Sequence, residues 1–235
     1  MRSRGELAIL LIFVVFAFFA GCSWFKLNEA EYSKKADEAY SKGLYKVARL
    51  YYKTLVVKFP ESEKADFYKE RLADILVQLA LTAPKDKLVD TYLHEIEALN
   101  LPANDTVLSW LKYRRAKKVE DEAKRDKLLS EITYDQYLLA AQYELNRSKF
   151  PEALTIYEDA IKYHKGEKEL YKALFLAGFI SSEYVKDTAA ARKYFEEVVK
   201  NYPDCDLADD AQWMLNNMGK PPEEVMFLPD TATKK

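Results

Sequence analysis

The chain has 235 residues, 49% of them hydrophobic and 31% charged, which suits one large globular domain or two small ones. Its six glycines are too few for a turn-rich all-β fold, and a net charge of −2 excludes a global field that would attract nucleic acid. Two cysteines, Cys22 and Cys205, are too few for a disulfide framework.

Residues 1–21 have the pattern of a secretory signal peptide. Arg2 and Arg4 precede an apolar run of about fourteen residues, which is short for a membrane span. The run leads into FAGC at residues 19–22, which resembles the lipobox of bacterial lipoproteins, with phenylalanine where leucine is usual. The resemblance implies acylation of Cys22 and cleavage before it. An ordinary signal peptide with a chance cysteine and an uncleaved anchor are the alternatives.

The residue after the cysteine bears on localisation. Residue 23 is serine rather than aspartate, and the resemblance to lipoproteins of enteric bacteria then implies the outer membrane, with the protein facing the periplasm. The inner membrane and the cell surface are the alternatives. Residues 22–28 are predicted to be the lipidated cysteine and a short linker.

Residues 29–60 are predicted to form two antiparallel helices. Ala36 and Ala48 are small where the two helices must approach closely, and Tyr52 follows Ala48 by four residues on the same helical face. Pro60 then ends the second helix because it has no amide hydrogen to continue one. Such a pair has an apolar face that it cannot bury alone, so further units are expected to stack on it.

Residues 61–130 lack this pattern and are predicted to be a degenerate helical segment. We expect one helix over 62–82, a second over 86–100, and a third over 105–129 that is very polar toward its end. Two full repeats would need four helices. The middle of the chain is therefore predicted to depart from the repeat.

The helix-pair pattern returns twice within residues 131–219, first over 134–164 and then over 173–203. Small residues again stand where helices must cross, and aromatic residues follow them at helical spacing. The turn before Ala191 is one residue longer than the pattern. The corresponding structural positions are Ala141, Ala153, Tyr157, Gly178, Ala191, Phe195 and Pro203.

The C-terminal part of the chain is predicted to contain one more helix and a tail. The helix is expected over 206–219, with Asp206 as its N-cap and Gly219 as its C-terminal stop. Residues 220–235 contain prolines and end in small polar and basic residues, so a mostly disordered tail is expected there.

The units at 31–60, 134–164 and 173–203 resemble tetratricopeptide (TPR) repeats. The resemblance implies an all-α, TPR-type right-handed α-solenoid with a degenerate middle and a concave face. An irregular helical bundle is the alternative. The order of lipobox, linker and TPR units resembles that of BamD/ComL-type outer-membrane assembly factors. The sequence ARKYFEEVVKNYPDCDLADDAQWML, at residues 191–215, resembles the TPR domain of YbgF-type Tol-Pal coordinators.

The sequence carries no motif of catalysis or cofactor binding. HExxH, CxxC, GxGxxG, P-loop and GxSxG patterns are absent, so we predict no enzyme activity, no metal site and no cofactor. The resemblance implies a non-catalytic, membrane-anchored interaction scaffold of the bacterial cell envelope that binds envelope proteins or extended peptide segments and no nucleic acid. The alternatives are a periplasmic peptide or ligand receptor, a Tol-Pal or cell-wall coordination factor, and an enzyme such as a cell-wall glycosidase.

Candidate partner contacts are expected on the first helix of each pair, because the resemblance places those helices on the concave face. The candidates are Tyr137, Gln142, Asn146, Phe175 and Ser182. Asn146 is the strongest by chemistry, since its amide can both donate and accept hydrogen bonds. Tyr137 and Phe175 have the alternative of a place in the core.

One basic run, KYRRAKK at residues 112–118, stands apart from these candidates. It is predicted to be either a solvated helix face or a contact to anionic head groups near the lipid anchor.

Overall fold

The structure is a computed structural model that describes residues 27–220. The predicted signal peptide (1–21), Cys22, most of the linker and nearly all of the predicted tail lie outside the described residues. Between residues 27 and 220 the chain forms eleven α-helices and one π-helical turn, and no β-strand. The prediction of an all-α, TPR-type solenoid fold class is confirmed.

The helices follow one another with short connections. In chain order they are α1 (Glu29–Ser41), α2 (Tyr45–Lys58), α3 (Ala65–Leu81), α4 (Asp86–Ala98), α5 (Asp105–Lys117), α6 (Glu122–Glu131), α7 (Tyr134–Leu145), α8 (Phe150–Tyr163), α9 (Leu170–Ile180), the π-helical turn (Ser181–Val185), α10 (Thr188–Asn201) and α11 (Ala208–Asn217).

The described chain divides into two compact units. The first contains the residues up to Thr82 together with His94–Pro102, and the second contains Ala83–Leu93 together with the residues from Ala103 onward. The division falls inside α4, so the first part of that helix belongs to the second unit and its last part to the first.

The first unit is built on the pair of α1 and α2, with α3 packed against α2. Asn28 begins α1 through a capping box: its side chain accepts the Glu31 amide at 2.9 Å, and the Glu31 carboxylate accepts the Asn28 amide at 2.9 Å. Gly43 makes the turn between the helices with a φ of 68°, a conformation that favours glycine. Ala36 and Ala48 are fully buried, so they lie where the two helices need small side chains.

Tyr52 and Pro60 of this unit also lie at the places predicted from the repeat pattern. The Tyr52 ring is fully buried, and its hydroxyl donates a hydrogen bond to Asp37. Burial, together with that hydrogen bond, raises the pKa of Tyr52 well above its usual value. Pro60 is exposed and lies two residues beyond the end of α2.

The middle of the chain contains four helices, α3 to α6, where three were predicted. The single helix expected over 105–129 is wrong, because α5 ends at Lys117 and α6 begins at Glu122. The Asp121 side chain accepts the Lys124 amide at 2.7 Å and so starts a new helix inside the charged run. The middle therefore has the number of helices that two repeats require.

The second unit contains the helix pairs α7–α8 and α9–α10, with α11 packed against α10. Small residues are fully buried in each pair, as at Ala141, Ala153 and Ala191. Gly178 faces Phe195 so closely that an added Cβ would stand 2.9 Å from the ring. The two helices of the second pair, α9 and α10, therefore come close together where Gly178 contacts the Phe195 ring.

The remaining predicted structural positions of this unit divide between core and surface. Tyr157 and Phe195 are buried, whereas Pro203 is exposed and lies just beyond the end of α10. An aromatic residue in the second helix of each pair therefore contributes to the core.

The longer turn before Ala191 takes the form of a π-helical turn after α9. The Asp187 amide donates to the Ser181 carbonyl at 2.8 Å, and Lys186 has a φ of 63°. The widened turn accommodates the extra residue without breaking the helix pair. Asp187 then caps α10, because its side chain accepts the Ala190 amide at 2.9 Å.

The last helix starts later than predicted. Asp206 was expected to be its N-cap, but the cap position is Leu207, which makes no side-chain cap hydrogen bond. The Asp206 carboxylate instead hydrogen-bonds to the Tyr171 hydroxyl, which raises the pKa of that tyrosine. Gly219 has a φ of 81° and lies two residues after the end of α11, as expected for a C-terminal stop.

Candidate partner-binding groove

A groove of about 380 Å³ opens in the second unit between α5, α7 and α8. Its floor is aromatic and aliphatic, formed by Trp110, Tyr113 and Ile156, of which each is at most 9% exposed. Its wall carries three cations from or just after α5, namely Arg114, Lys117 and Lys118. Two carboxylates, Glu144 and Glu152, and the side chain of Thr155 complete the lining.

The helical repeat explains why α5 contributes both floor and wall. Asn104 begins the helix by accepting the Val107 amide at 3.1 Å. The groove residues of α5 then recur at helical spacing on a single face. They are Trp110, Tyr113, Arg114 and Lys117. On α8 the same spacing brings Glu152, Thr155 and Ile156 to one face.

Trp110 is fixed on the floor of the groove by α7. Its indole N–H donates a hydrogen bond to Glu144, a nearly buried carboxylate. Its ring also lies against Tyr143, with the two ring centroids 4.5 Å apart and tilted by 33°. Arg147 stands 3.4 Å from the other oxygen of Glu144 and so balances its charge.

Tyr113 is held by α8. Its hydroxyl donates to Asp159 at 2.7 Å, and the Lys117 ammonium lies 2.9 Å from the same oxygen. Burial, with the hydrogen bond to Asp159, raises the pKa of Tyr113 far above its usual value, so the hydroxyl stays a donor at neutral pH. The edge of its ring packs against Tyr137, with centroids 5.8 Å apart.

The basic run at 112–118 is more than a solvated face, because most of its cations have partners in the second unit. Arg115 binds Asp90 through two hydrogen bonds, of 2.6 and 2.9 Å, and Lys118 lies 3.5 Å from Asp86. Arg114 differs: it forms no ion pair with any residue between 27 and 220. Its guanidinium stands over the Trp110 ring, 5.2 Å from the centroid.

Tyr137, predicted as a partner contact, has no exposed surface. Its hydroxyl donates to the Leu129 carbonyl at 2.8 Å, and its ring lies 5.5 Å from that of His164. A side chain with no accessible surface cannot contact a partner, so the alternative placement in the core holds for this residue.

The other predicted contacts lie outside the groove. Gln142 and Asn146 are exposed near the end of α7, and the Gln142 amide donates to Asn146 at 2.7 Å. Phe175 is half-buried against Phe195, with ring centroids 5.4 Å apart. Ser182 lies on the π-helical turn and donates to its neighbour Glu183 at 2.8 Å. Sequence reasoning found the basic run of the groove but missed its aromatic floor.

The first unit carries a separate exposed apolar face on α2. Val47, Leu50 and Val57 lie on one side of this helix, and Leu50 is 61% exposed. Large exposed aliphatic side chains at helical spacing are a candidate contact surface.

Residues 27–220 contain neither a membrane-spanning helix nor a metal-binding cluster. No helix there is both long and apolar enough to cross a bilayer. No group of three or more histidine, cysteine, aspartate or glutamate side chains in that part of the chain could hold a metal ion.

Comparison with protein families gives a match in the second unit. Residues 171–204 match the tetratricopeptide repeat model. The chain contains a tetratricopeptide repeat. The matched span covers nearly all of α9, the π-helical turn and α10, so the pair with the extra residue is still recognised as a repeat. A comparison with curated proteins finds no match. TPR-type helical folds are typically non-catalytic scaffolds that bind protein partners.

Proposed function

We propose that this protein is a non-catalytic interaction scaffold of the bacterial cell envelope, held at the outer membrane by acylation of Cys22 and facing the periplasm. The tetratricopeptide repeat at 171–204 carries the interaction part of this proposal. The lipobox-like sequence at 19–22 supports the anchoring part.

The groove in the second unit supports a role in binding proteins. Its volume suits a few side chains of an extended segment, and a buried aromatic floor with a polar wall is typical of a recognition site. Arginine and the aromatic residues are also the side chains most often found at the centre of protein interfaces.

A place in outer-membrane protein assembly is the finer form of the proposal. It is supported by the order of lipobox, linker and TPR units, which resembles that of BamD/ComL-type assembly factors. The second candidate function is a peptide receptor or a Tol-Pal or cell-wall coordination factor, favoured by the groove itself and by the resemblance of residues 191–215 to YbgF-type domains.

Site-specific crosslinking in the native host tests the scaffold function. A photo-crosslinking amino acid is placed at Thr155 in the groove or at Leu50 on α2, and captured proteins are identified by mass spectrometry. We expect a defined envelope protein to be captured from at least one of these positions. The control is Lys124, an exposed residue outside the groove lining. Identical capture at all three positions, or none at any, would contradict a scaffold.

A further inference from the structure

Among residues 27–220, Arg114 leaves its hydrogen-bonding capacity unused, whereas the other two cations of the groove, Lys117 and Lys118, lie against carboxylates. It is half-buried on the groove wall and forms no ion pair among residues 27–220, although it stands over the Trp110 ring. Its neighbours in the basic run contrast with it, since Arg115 is bound to Asp90 and Lys117 to Asp159. A planar guanidinium offers five donors arranged to fit a carboxylate.

The acidic residues beside Arg114 do not cancel its charge. Glu144 is engaged by the Trp110 indole and by Arg147, and Asp159 is engaged by the Tyr113 hydroxyl and by Lys117. Glu152 is the remaining carboxylate of the lining, and within residues 27–220 its ion pair is with Lys149, at 4.0 Å and outside the groove lining.

We infer that the groove binds an extended peptide segment in which an aspartate or glutamate stands beside a large apolar residue. The carboxylate would bind Arg114, and the apolar side chain would cover the floor between Trp110 and Ile156. This inference rests on the proposed scaffold function, because it assigns to the partner the segment that the groove recognises.

The lining favours a peptide over a lipid head group. A phosphate would satisfy Arg114 but would leave the apolar floor uncovered, and Lys117 already lies against Asp159. A peptide with neighbouring acidic and apolar side chains matches both parts of the lining at once. The groove also lies partly on α5, in the middle segment where the sequence departs from the repeat pattern.

Binding of defined peptides to the full-length chain tests the inference. The probe is a labelled hexapeptide, blocked at both ends, in which two aspartates flank a phenylalanine and a leucine. Matched peptides carry asparagine or lysine in place of aspartate. Fluorescence anisotropy measures affinity, and the NMR signal of the Trp110 indole N–H reports the place of binding. We expect the acidic peptide to bind about tenfold more tightly than the asparagine peptide, the effect of one charge-assisted hydrogen bond.

Two substitutions with opposite effects make the test specific. Arg114→Gln should remove the tenfold preference for the acidic peptide. Glu152→Gln should strengthen binding of the acidic peptide a fewfold, because it removes from the lining a negative charge that repels the peptide. Lys124→Gln changes the net charge as Arg114→Gln does, but outside the groove lining, and should leave binding unchanged. Circular dichroism and melting should be the same for all three variants.

Several outcomes would overturn the inference. These are equal affinity for the three peptides, unchanged binding by Arg114→Gln, or an unperturbed Trp110 signal. Binding to phosphatidylglycerol vesicles that depends on Arg114, without peptide binding, would assign the groove to a membrane surface instead. If the peptides fail while a partner is captured from Leu50, the scaffold function stands and the groove is not its recognition site.

Discussion

At Gly178 the absence of a side chain decides how closely two helices approach. A Cβ there would lie 2.9 Å from the Phe195 ring, and that ring is fully buried. Gly178→Ala should therefore lower the free energy of unfolding by about 1–2 kcal/mol, since overpacking outweighs the gain in helix propensity of up to about 1 kcal/mol. Chemical denaturation measures this change.

A second glycine provides the control. No atom of residues 27–220 would lie within 4 Å of a Cβ added at Gly166, so Gly166→Ala should be neutral or slightly stabilising. Phe195→Leu in the Gly178→Ala background should cost less than the sum of the single changes, because the smaller side chain relieves the contact. Additive losses in the free energy of unfolding would show that an alanine at position 178 does not clash with Phe195.

Glu29 gives the first unit a pH-dependent contact. Its carboxylate accepts hydrogen bonds from the Ser62 hydroxyl and, at 2.9 Å, from the Tyr68 hydroxyl. These two bonds lower the pKa of Glu29, and the bond from Ser62 has the larger effect. A lowered folded-state pKa means that the stabilisation is present above the unfolded value, about 4.3, and is lost as pH falls through the folded value.

Glu29→Gln should therefore lower the melting temperature at pH 7 and have less effect as the pH approaches 3. At low pH the wild-type carboxyl is protonated too, so the two proteins become alike. Thermal melts at a series of pH values measure the difference. A difference in melting temperature that stays constant with pH would show that the ionised Glu29 carboxylate is not the cause of the stabilisation.

At the scale of elements, the close crossing of α9 and α10 depends on which face of α10 is apolar. Ala191 is fully buried and Ala189, on the same helix, is exposed. Ala191→Leu should lower the free energy of unfolding by about 1–3 kcal/mol through overpacking, and Ala189→Leu should change it by less than about 0.5 kcal/mol. Equal melting temperatures for the two variants would contradict the assigned helix register.

Directly after the π-helical turn, a lysine has a backbone conformation better suited to glycine. Lys186 has a φ of 63°, and its nearest carboxylate, Glu183, is 4.0 Å away with both side chains exposed. Lys186→Gly should leave the free energy of unfolding unchanged or raise it by up to about 1 kcal/mol. Lys193→Gly, at an exposed position inside α10, should lower it by about 1 kcal/mol. A loss at both positions would mean that Lys186 contributes through contacts of its side chain.

The helix pairs could be predicted from the sequence because their signals are local. Alanines at the crossings, an aromatic residue one helical turn later and a glycine turn all lie within one stretch of about thirty residues. The break between α5 and α6 was missed because the Asp121 cap lies in a charged run without an apolar period. The many charged residues of α5 also hid the burial of Trp110, Tyr113 and Ala116.

The groove could not be predicted, because it is assembled from distant parts of the chain. Trp110 and Ile156 are far apart in sequence and line one cavity only because α5, α7 and α8 come together. The sequence of α5 contained a usable signal: an aromatic pair three residues apart, each followed by a cation four residues later. That spacing places Trp110 and Arg114 on one helical face, but it does not identify the opposing helix.

At the scale of the whole molecule, the proposed anchor and the proposed groove are distant in sequence, since Cys22 precedes the helices and the groove begins at Trp110. Anchoring and partner recognition are then separable by mutation. Arg114→Gln should change recognition without changing membrane attachment, and a substitution at Cys22 should do the reverse.

Cys22→Ser tests the anchor directly. Acyl chains on a cysteine hold a protein at a membrane because each buried methylene contributes about 0.8 kcal/mol. Cys22→Ser should therefore abolish labelling by an alkyne fatty acid, and the protein should either leave the membrane fraction or accumulate as an unprocessed precursor. Cys205→Ser is the matched control, since Cys205 is a free, half-buried cysteine in the second unit, and its loss should change neither labelling nor fractionation. A processed Cys22→Ser protein that is unlabelled yet remains in the membrane fraction would show that something other than acylation holds the chain there.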